Sequence, residues 1–321
     1  MVRFVVCGET LIDLVPAAEQ PAGHFESRWL ALSAGGPMNS AVALGRLGAD
    51  THFLGRLSRD AFGRQLWGHI TEAGVALDLA TESSQATSIA VVSLDERGMA
   101  SYTFHFADTA NFGWQFDDLP SLGEGDWLHI ASLATVVSPG AEVLVDWATR
   151  LTCGMSYDIN VRPTVITEPD HYWERVKPWL RVLGRHRGIV KASDEDVSFL
   201  ARAANASATG ATDPIEVAAG WVEQYGLSMA VITLGPGGGV GLLPGGEQVR
   251  VSGYPTTVVD TVGAGDTFMA GFLDGHVRLG QPVAESLRRG AAAASIVCSR
   301  QGPQPPTADE VDQLLRGASV S

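Results

Sequence analysis

Short apolar runs of strand length recur along the chain and alternate with Ala- and Leu-rich stretches of helical length. The runs are Phe4-Val5-Val6, His52-Phe53-Leu54, Trp127-Leu128-His129-Ile130, Met155-Ser156-Tyr157-Asp158, Gly188-Ile189-Val190 and Met229-Ala230-Val231-Ile232. Such alternation predicts an α/β fold, a doubly wound and mostly parallel central sheet with helices on both faces. Two stretches, about 10–34 and 86–108, lack a helical period. Within the second, Ser88 to Leu94, then Asp95-Glu96-Arg97-Gly98, then Ser101-Tyr102-Thr103-Phe104 reads as a β-hairpin. Strands at these two places predict a small β-sheet lid over the carboxyl ends of the core strands, where ligands bind in sheets of this kind. With no internal repeat and no Pro- or Ser-rich linker, residues 1–321 read as one domain carrying that lid, and Gly302-Pro303-Gln304-Pro305-Pro306 precedes a short last helix.

A chain of 321 residues can bury a sizeable core. Its formal charge of −14 argues against nucleic-acid or anionic-membrane partners, which are held by clustered Lys and Arg. The cysteines, Cys7, Cys153 and Cys298, are widely separated and lack CxxC spacing, so neither a disulfide framework nor a zinc site is signalled. The first apolar run is interrupted by Glu9 and Asp13, too short and too acidic for a signal peptide or a membrane span. A cytoplasmic location is the expectation.

The most informative segment is Val258-Val259-Asp260-Thr261-Val262-Gly263-Ala264-Gly265-Asp266-Thr267-Phe268, a glycine-rich turn running into a helix with Met269, Phe272, Leu273 and Val277 on one face. Gly263 and Gly265 allow close backbone approach and leave N–H groups free to point at an anion, an attraction the helix dipole reinforces. A carboxylate at Asp266 would stand beside that anion, placed to take the proton of an alcohol during phosphoryl transfer. The plainer alternative is an ordinary tight turn with Asp266 as an N-cap. Neither a GxxxxGK[ST] loop nor a GxGxxG turn after a strand is present, and no HExxH occurs.

Asp260 to Phe268 with Gly271-Phe272 resembles the C-terminal signature of the ribokinase, or PfkB, sugar kinases. The resemblance implies an anion hole from Gly263, Ala264, Gly265 and Asp266, Asp266 as catalytic base, and Asp260 beside a monovalent-cation site. Ala34-Gly35-Gly36-Pro37-Met38-Asn39-Ser40-Ala41, continuing to Leu47-Gly48, is similar to the family's other signature. It implies sugar contacts by Gly35, Gly36 and Asn39, although aligning Asn39 puts the usual Gly-Gly pair on Ala34-Gly35. A packed helix without a ligand is the alternative. Gly8-Glu9-Thr10-Leu11-Ile12-Asp13 resembles the family's first strand and turn, whose Asp accepts from two sugar hydroxyls; Asp13 equally suits a solubilised lid edge.

Ser156-Tyr157-Asp158-Ile159-Asn160-Val161-Arg162-Pro163 resembles the DxNxRP segment of fructokinase-like and 2-keto-3-deoxygluconate kinase-like members. Arg162 suits a substrate carboxylate or phosphate, or a structural ion pair. Lys191-Ala192-Ser193-Asp194-Glu195-Asp196 stands where the family has NxxE, with Ser193 and Asp196 for Asn and Glu; the resemblance implies an Asp196 contact to Mg²⁺ through water, against Ser193 as a plain N-cap. Thr233-Leu234-Gly235-Pro236-Gly237-Gly238 resembles the segment flanking the ATP phosphates and ribose, so Lys191, Ser193, Thr233, Gly235 and Gly238 are nucleotide-side candidates. Ala291 to Ala294, Cys298 and Gly302 match the family's adenine border. The implied activity is transfer of the ATP γ-phosphoryl group to a primary hydroxyl of a small sugar, with Mg²⁺ and also K⁺ as cofactors. Fructose or a related ketose is the first expected substrate, then 2-keto-3-deoxygluconate, then ribose or a nucleoside. A non-catalytic sugar- or nucleotide-binding regulator is the rival from another class, and the lid is a candidate homodimer surface.

Overall fold

The computed structural model describes residues 2–18, 25–94, 100–204, 206 and 210–318. In chain order the strands are β1 (Arg3–Cys7), β2 (Leu11–Pro16), β3 (Trp29–Ala34), β4 (Asp50–Leu54), β5 (Arg56–Ser58), β6 (Thr81–Ser83), β7 (Ser88–Leu94), β8 (Ala100–His105), β9 (Asp126–Ala131), β10 (Gly154–Asp158), β11 (Ile189–Ser193), β12 (Met229–Thr233), β13 (Gly239–Leu242) and β14 (Gln248–Val251). The helices are α1 (Gly36–Arg46), α2 (Ala61–Glu72), α3 (Gly140–Ala148), α4 (Pro169–His186), α5 (Asp194–Leu200), α6 (Pro214–Tyr225), α7 (Ala264–Leu273), α8 (Val283–Cys298) and α9 (Ala308–Ala318).

The main sheet runs β14-β13-β12-β11-β10-β9-β1-β4. Its six parallel strands hold the six apolar runs read from the sequence, Gly188 alone falling just before β11, and they are mostly apolar because both faces are covered, with His129, Ser156, Asp158 and Lys191 as buried polar exceptions. Successive side chains alternate between two cores. Phe4 and Val6 join Met38, Leu66, Phe268, Phe272 and Leu287 beneath α1, α2, α7 and α8, whereas Val5 and Cys7 join Leu144, Trp173, Trp179 and Trp221 beneath α3, α4 and α6. The sheet extends two strands further than the sequence predicts: β13 and β14 add antiparallel. The β13 residues Gly-Val-Gly-Leu carry too few β-branched side chains to stand out as a strand.

Strand order reverses at β1, which has β4 on one side and β9 on the other, so the crevice of the sheet opens beyond the carboxyl ends of β1 and β9. In a separate four-stranded sheet, β3-β2-β7-β8, the first pair, β2 and β3, lies between β1 and α1, and the hairpin β7–β8 is added after β6. β7 and β8 pair antiparallel, as the hairpin reading requires; the turn residues Asp95 to Gly98 lie outside the described residues. Register puts Leu11 and Asp13 of β2 on one face with Ala34, Ala90 and Phe104. Ile12 and Leu14 point the other way, into the core under α1 and α2. Among the described residues no helix is long and apolar enough to cross a membrane.

Candidate active site

Gly263 is the N-cap of α7 with φ +76°, a left-handed turn that only glycine adopts without strain. It makes Asp266 the third helical residue rather than the cap. Among the described residues the amides of Gly265 and Asp266 have no acceptor, while the Ala264 N–H donates to the Thr261 carbonyl at 3.2 Å. The open amides and the helix dipole together suit an anion.

The Asp266 side chain turns away from its own helix end into the crevice and is 6% exposed. Asn39 Nδ2, from the first turn of α1, donates to its Oδ2 at 2.9 Å, and Asn160 Nδ2 donates to its Oδ1 at 3.3 Å. Burial pushes this carboxyl above the usual range, opposed by the Asn39 N–H and by the positive charges of Lys191 and Arg162. Gly36 makes the arrangement possible. A β-carbon there would lie 2.8 Å from Asn160 Nδ2 and 3.2 Å from Asp266 Oδ1. Gly35, the α1 N-cap, takes φ +125° where β3 turns into the helix.

Near Asp266, Lys191 of β11 donates to Asp158 Oδ2 of β10 at 2.8 Å, both side chains buried. Burial alone would pull the Lys191 ammonium down, but the carboxylates of Asp158, Asp196 and Asp266 more than offset it and hold the group charged. Lys191 Nζ is 2.9 Å from where a β-carbon on Gly265 would sit, so the ammonium lies against the glycine turn.

Asp196 and Ser193 form a capping box at the start of α5: the Asp196 N–H donates to Ser193 Oγ at 3.0 Å and the Ser193 N–H to Asp196 Oδ2 at 2.8 Å. The other oxygen, Oδ1, accepts from the Val161 N–H at 2.8 Å. Ser193 is therefore an N-cap, and Asp196 ties α5 to the segment after β10. Asp260 orders the entry to the glycine turn, with Oδ1 accepting from the Val262 N–H at 3.0 Å and Oδ2 from the Gly302 N–H at 2.9 Å. The Cys298 carbonyl accepts from the Val259 and Asp260 amides, which brings the end of α8 against the same loop. Thr233 ends β12 beside Ser193 of β11, and Gly235 and Gly238 turn the chain back into β13 with φ +53° and +89°. Among the described residues no group of three or more His, Cys, Asp and Glu is arranged to hold a metal.

On the side of the four-stranded sheet, Asp13 is half-buried, and burial lifts its carboxyl from the ordinary 3.8 to about 6 against the opposing charge of Arg162. Tyr102 of β8 feels the same Asp13, Arg162 and Asp260 charges. Strand β2, the turn into α1, the 160–162 segment and the head of α7 thus face one crevice. Two contributors were not singled out in the sequence. Asn160 is one; Glu9, 1% exposed, is the other, and its Oε1 and Oε2 accept from the Leu133 and Ala134 N–H groups at 3.3 and 3.0 Å. Glu9 thereby staples the end of β1 to the turn after β9, on either side of the switch point.

A buried carboxylate held by two side-chain amides beside an open helix N-terminus, at the crevice of a doubly wound sheet, suits phosphoryl transfer to an alcohol. Residues 1–310 match the pfkB family of carbohydrate kinases, and the chain belongs to that family. It is 29% identical to a fructokinase of Klebsiella pneumoniae over 87% of this chain and 86% of that protein. A fructokinase of Rhizobium leguminosarum bv. trifolii is 32% identical over 84% of this chain and 78% of its own length. Among solved structures, the fructokinase of Vibrio cholerae O395 with fructose, ADP and calcium bound superposes with a TM-score of 0.81 at 26% identity, covering 98% of this chain and 99% of that one. The fructokinase of Xylella fastidiosa with bound ATP gives 0.82 at 25% identity, covering 99% of each chain. The chain is an ATP-dependent sugar kinase with a ribokinase-like fold.

Proposed function

We propose that this kinase phosphorylates a primary hydroxyl of fructose. The observation that carries the reading is the Asp266 carboxylate, fixed at the head of α7 by amides from α1 and from the DxNxRP segment. Fructose is favoured by the names of the curated relatives and by the sugar in the Vibrio cholerae structure.

Asp13, Gly35, Gly36 and Asn39 bind the sugar, with Asp13 accepting from two neighbouring hydroxyls. Asp266 accepts the proton of the attacking hydroxyl as the new O–P bond forms. The open amides of Gly265 and Asp266, with the Gly263 turn, bear on the charge that spreads over the transferred phosphoryl oxygens, while the Ala264 N–H is taken by the Thr261 carbonyl. Lys191, against the glycine turn, supports that charge, and Ser193, Thr233, Gly235 and Gly238 border the nucleotide. Mg²⁺, when bound, would neutralise phosphate charge, and Asp196 would hold it through water, since each of its oxygens accepts one hydrogen bond and keeps a second lone pair. Asp260, tied to the Gly302 amide, orders the loop that would border a K⁺ ion. The four-stranded sheet acts as the lid that excludes water, so that ATP is not hydrolysed.

Leu30, Leu32 and Tyr102 stand 50%, 42% and 37% exposed on that sheet, and this support favours a homodimer formed through it. The free cysteines, two of them buried, suit a reducing cytoplasm.

The test is ADP release from Mg·ATP in the presence of fructose, 2-keto-3-deoxygluconate, ribose, glucose or adenosine, with and without K⁺. A dominant fructose signal is expected. A strict preference for a nucleoside, or silence on every sugar, overturns the reading.

A further inference from the structure

Residues 159–162 are held at nearly every backbone amide. The Ile159 N–H donates to the Lys191 carbonyl at 2.9 Å, Val161 N–H to Asp196 Oδ1, and Arg162 N–H to the Tyr172 hydroxyl at 3.1 Å. What this bracing holds in place is Asn160, whose φ of +45° is left-handed, a conformation uncommon for residues other than glycine although asparagine tolerates it better than most. A left-handed residue held from three elements at the edge of a reaction site points to a job for its side chain.

The side chain is fixed as firmly as the backbone. Arg162 Nη1 donates to Asn160 Oδ1 at 2.6 Å and to its carbonyl at 3.2 Å. Arginine has donors only, so the amide cannot flip: its oxygen must face Arg162 and its NH₂ must face away. That NH₂ meets Asp266 Oδ1 at 3.3 Å, the long end of hydrogen-bond range, as catalytic contacts often are without substrate. The neighbouring Gly36 supplies the space the amide occupies.

We infer that Asn160, oriented by Arg162, is a positioning residue for the catalytic base: with Asn39 on the other oxygen, it fixes the Asp266 carboxylate plane and leaves one lone pair on each oxygen, in a defined direction, for the acceptor hydroxyl. The inference rests on the fructokinase reading. It also gives Arg162 a role that needs no acidic substrate. The charged groups that face Asp266 are Lys191 from β11, Arg162 from the braced segment and Asp158 from β10. Loss of the Asn160 donor leaves these in place and raises the proton affinity of the base.

The experiment compares Asn160→Gly and Asn160→Asp with the wild type in steady-state kinetics on fructose across pH, with thermal unfolding as a control. Glycine keeps the left-handed backbone and removes only the amide. Asparagine and aspartate share a shape, and aspartate still satisfies Arg162 but turns a carboxylate oxygen towards Asp266. In Asn160→Gly, kcat should fall roughly tenfold or more, as misplacing a reacting group does, while KM for ATP stays within about twofold, and the acidic limb of kcat should move to higher pH. Asn160→Asp should lose more and move the limb further. Wild-type kcat with an unmoved acidic limb in both variants overturns the inference while leaving the fructokinase reading intact. A wild type that phosphorylates no sugar overturns both.

Discussion

Lys191 and Asp158 face each other across two adjacent parallel strands, Nζ 2.8 Å from Oδ2, with side chains 3% and 0% exposed. The second Asp158 oxygen is buried without a hydrogen-bond partner in the structure. A pair so enclosed is a poor source of net stability, but breaking one half strands a charge and costs about 3–5 kcal/mol. Lys191→Met alone should therefore lower the urea midpoint markedly, and Lys191→Met combined with Asp158→Asn should recover most of that loss. Because the ammonium also lies against the glycine turn, the double variant should fold yet keep a reduced kcat. Equal stability of the single variant and the wild type would show the pair to be solvated.

Asp266→Asn keeps the shape of the base and removes its proton affinity. General-base catalysis is worth roughly 10²- to 10⁴-fold, so kcat should fall by that order. Fructose binding by calorimetry should change little. Residual turnover close to wild type would exclude Asp266 as the base.

How much of this was legible in the sequence depends on whether a residue acts through its neighbours in the chain. The six parallel strands and the glycine turn before α7 are local patterns, and each was readable as such. Glu9 was not, because its partners Leu133 and Ala134 are more than a hundred residues away. Asn160 sat in a recognised segment, yet its importance lies in a backbone angle that no spacing encodes. Ser193 and Asp196 carried both readings at once: S-x-x-D is a capping pattern, and the structure uses it as one.

Gly36→Ala tests the crowding around the base. The added methyl must push on Asn160 Nδ2 at 2.8 Å or on Asp266 Oδ1 at 3.2 Å, and both are held by other bonds. Displacement of about an ångström at a reacting centre can cost on the order of a hundredfold in rate. The variant should thus lose kcat while its melting temperature drops only modestly, since alanine is favourable in a helix. Unimpaired kcat would mean that the two amides and the carboxylate are free to shift together.

Asp13 predicts a pH dependence of its own. Its carboxyl is lifted to about 6 by burial beside the crevice, above the ordinary 3.8 it has when unfolded. A group raised in the folded state binds protons more readily there. It therefore favours folding at low pH, and that contribution is lost as pH rises from about 4 to about 6. Asp13→Asn should remove this slope and leave the chain more stable at neutral pH. Sugar binding should run the opposite way, since only the ionised carboxylate accepts from two hydroxyls without giving up an oxygen to a proton. Fructose KM in the wild type should rise as pH falls through about 6, whereas Asp13→Asn should show a high KM with no inflection in that range. A wild-type KM that stays flat across this window, with the variant binding equally well, would place the sugar away from β2.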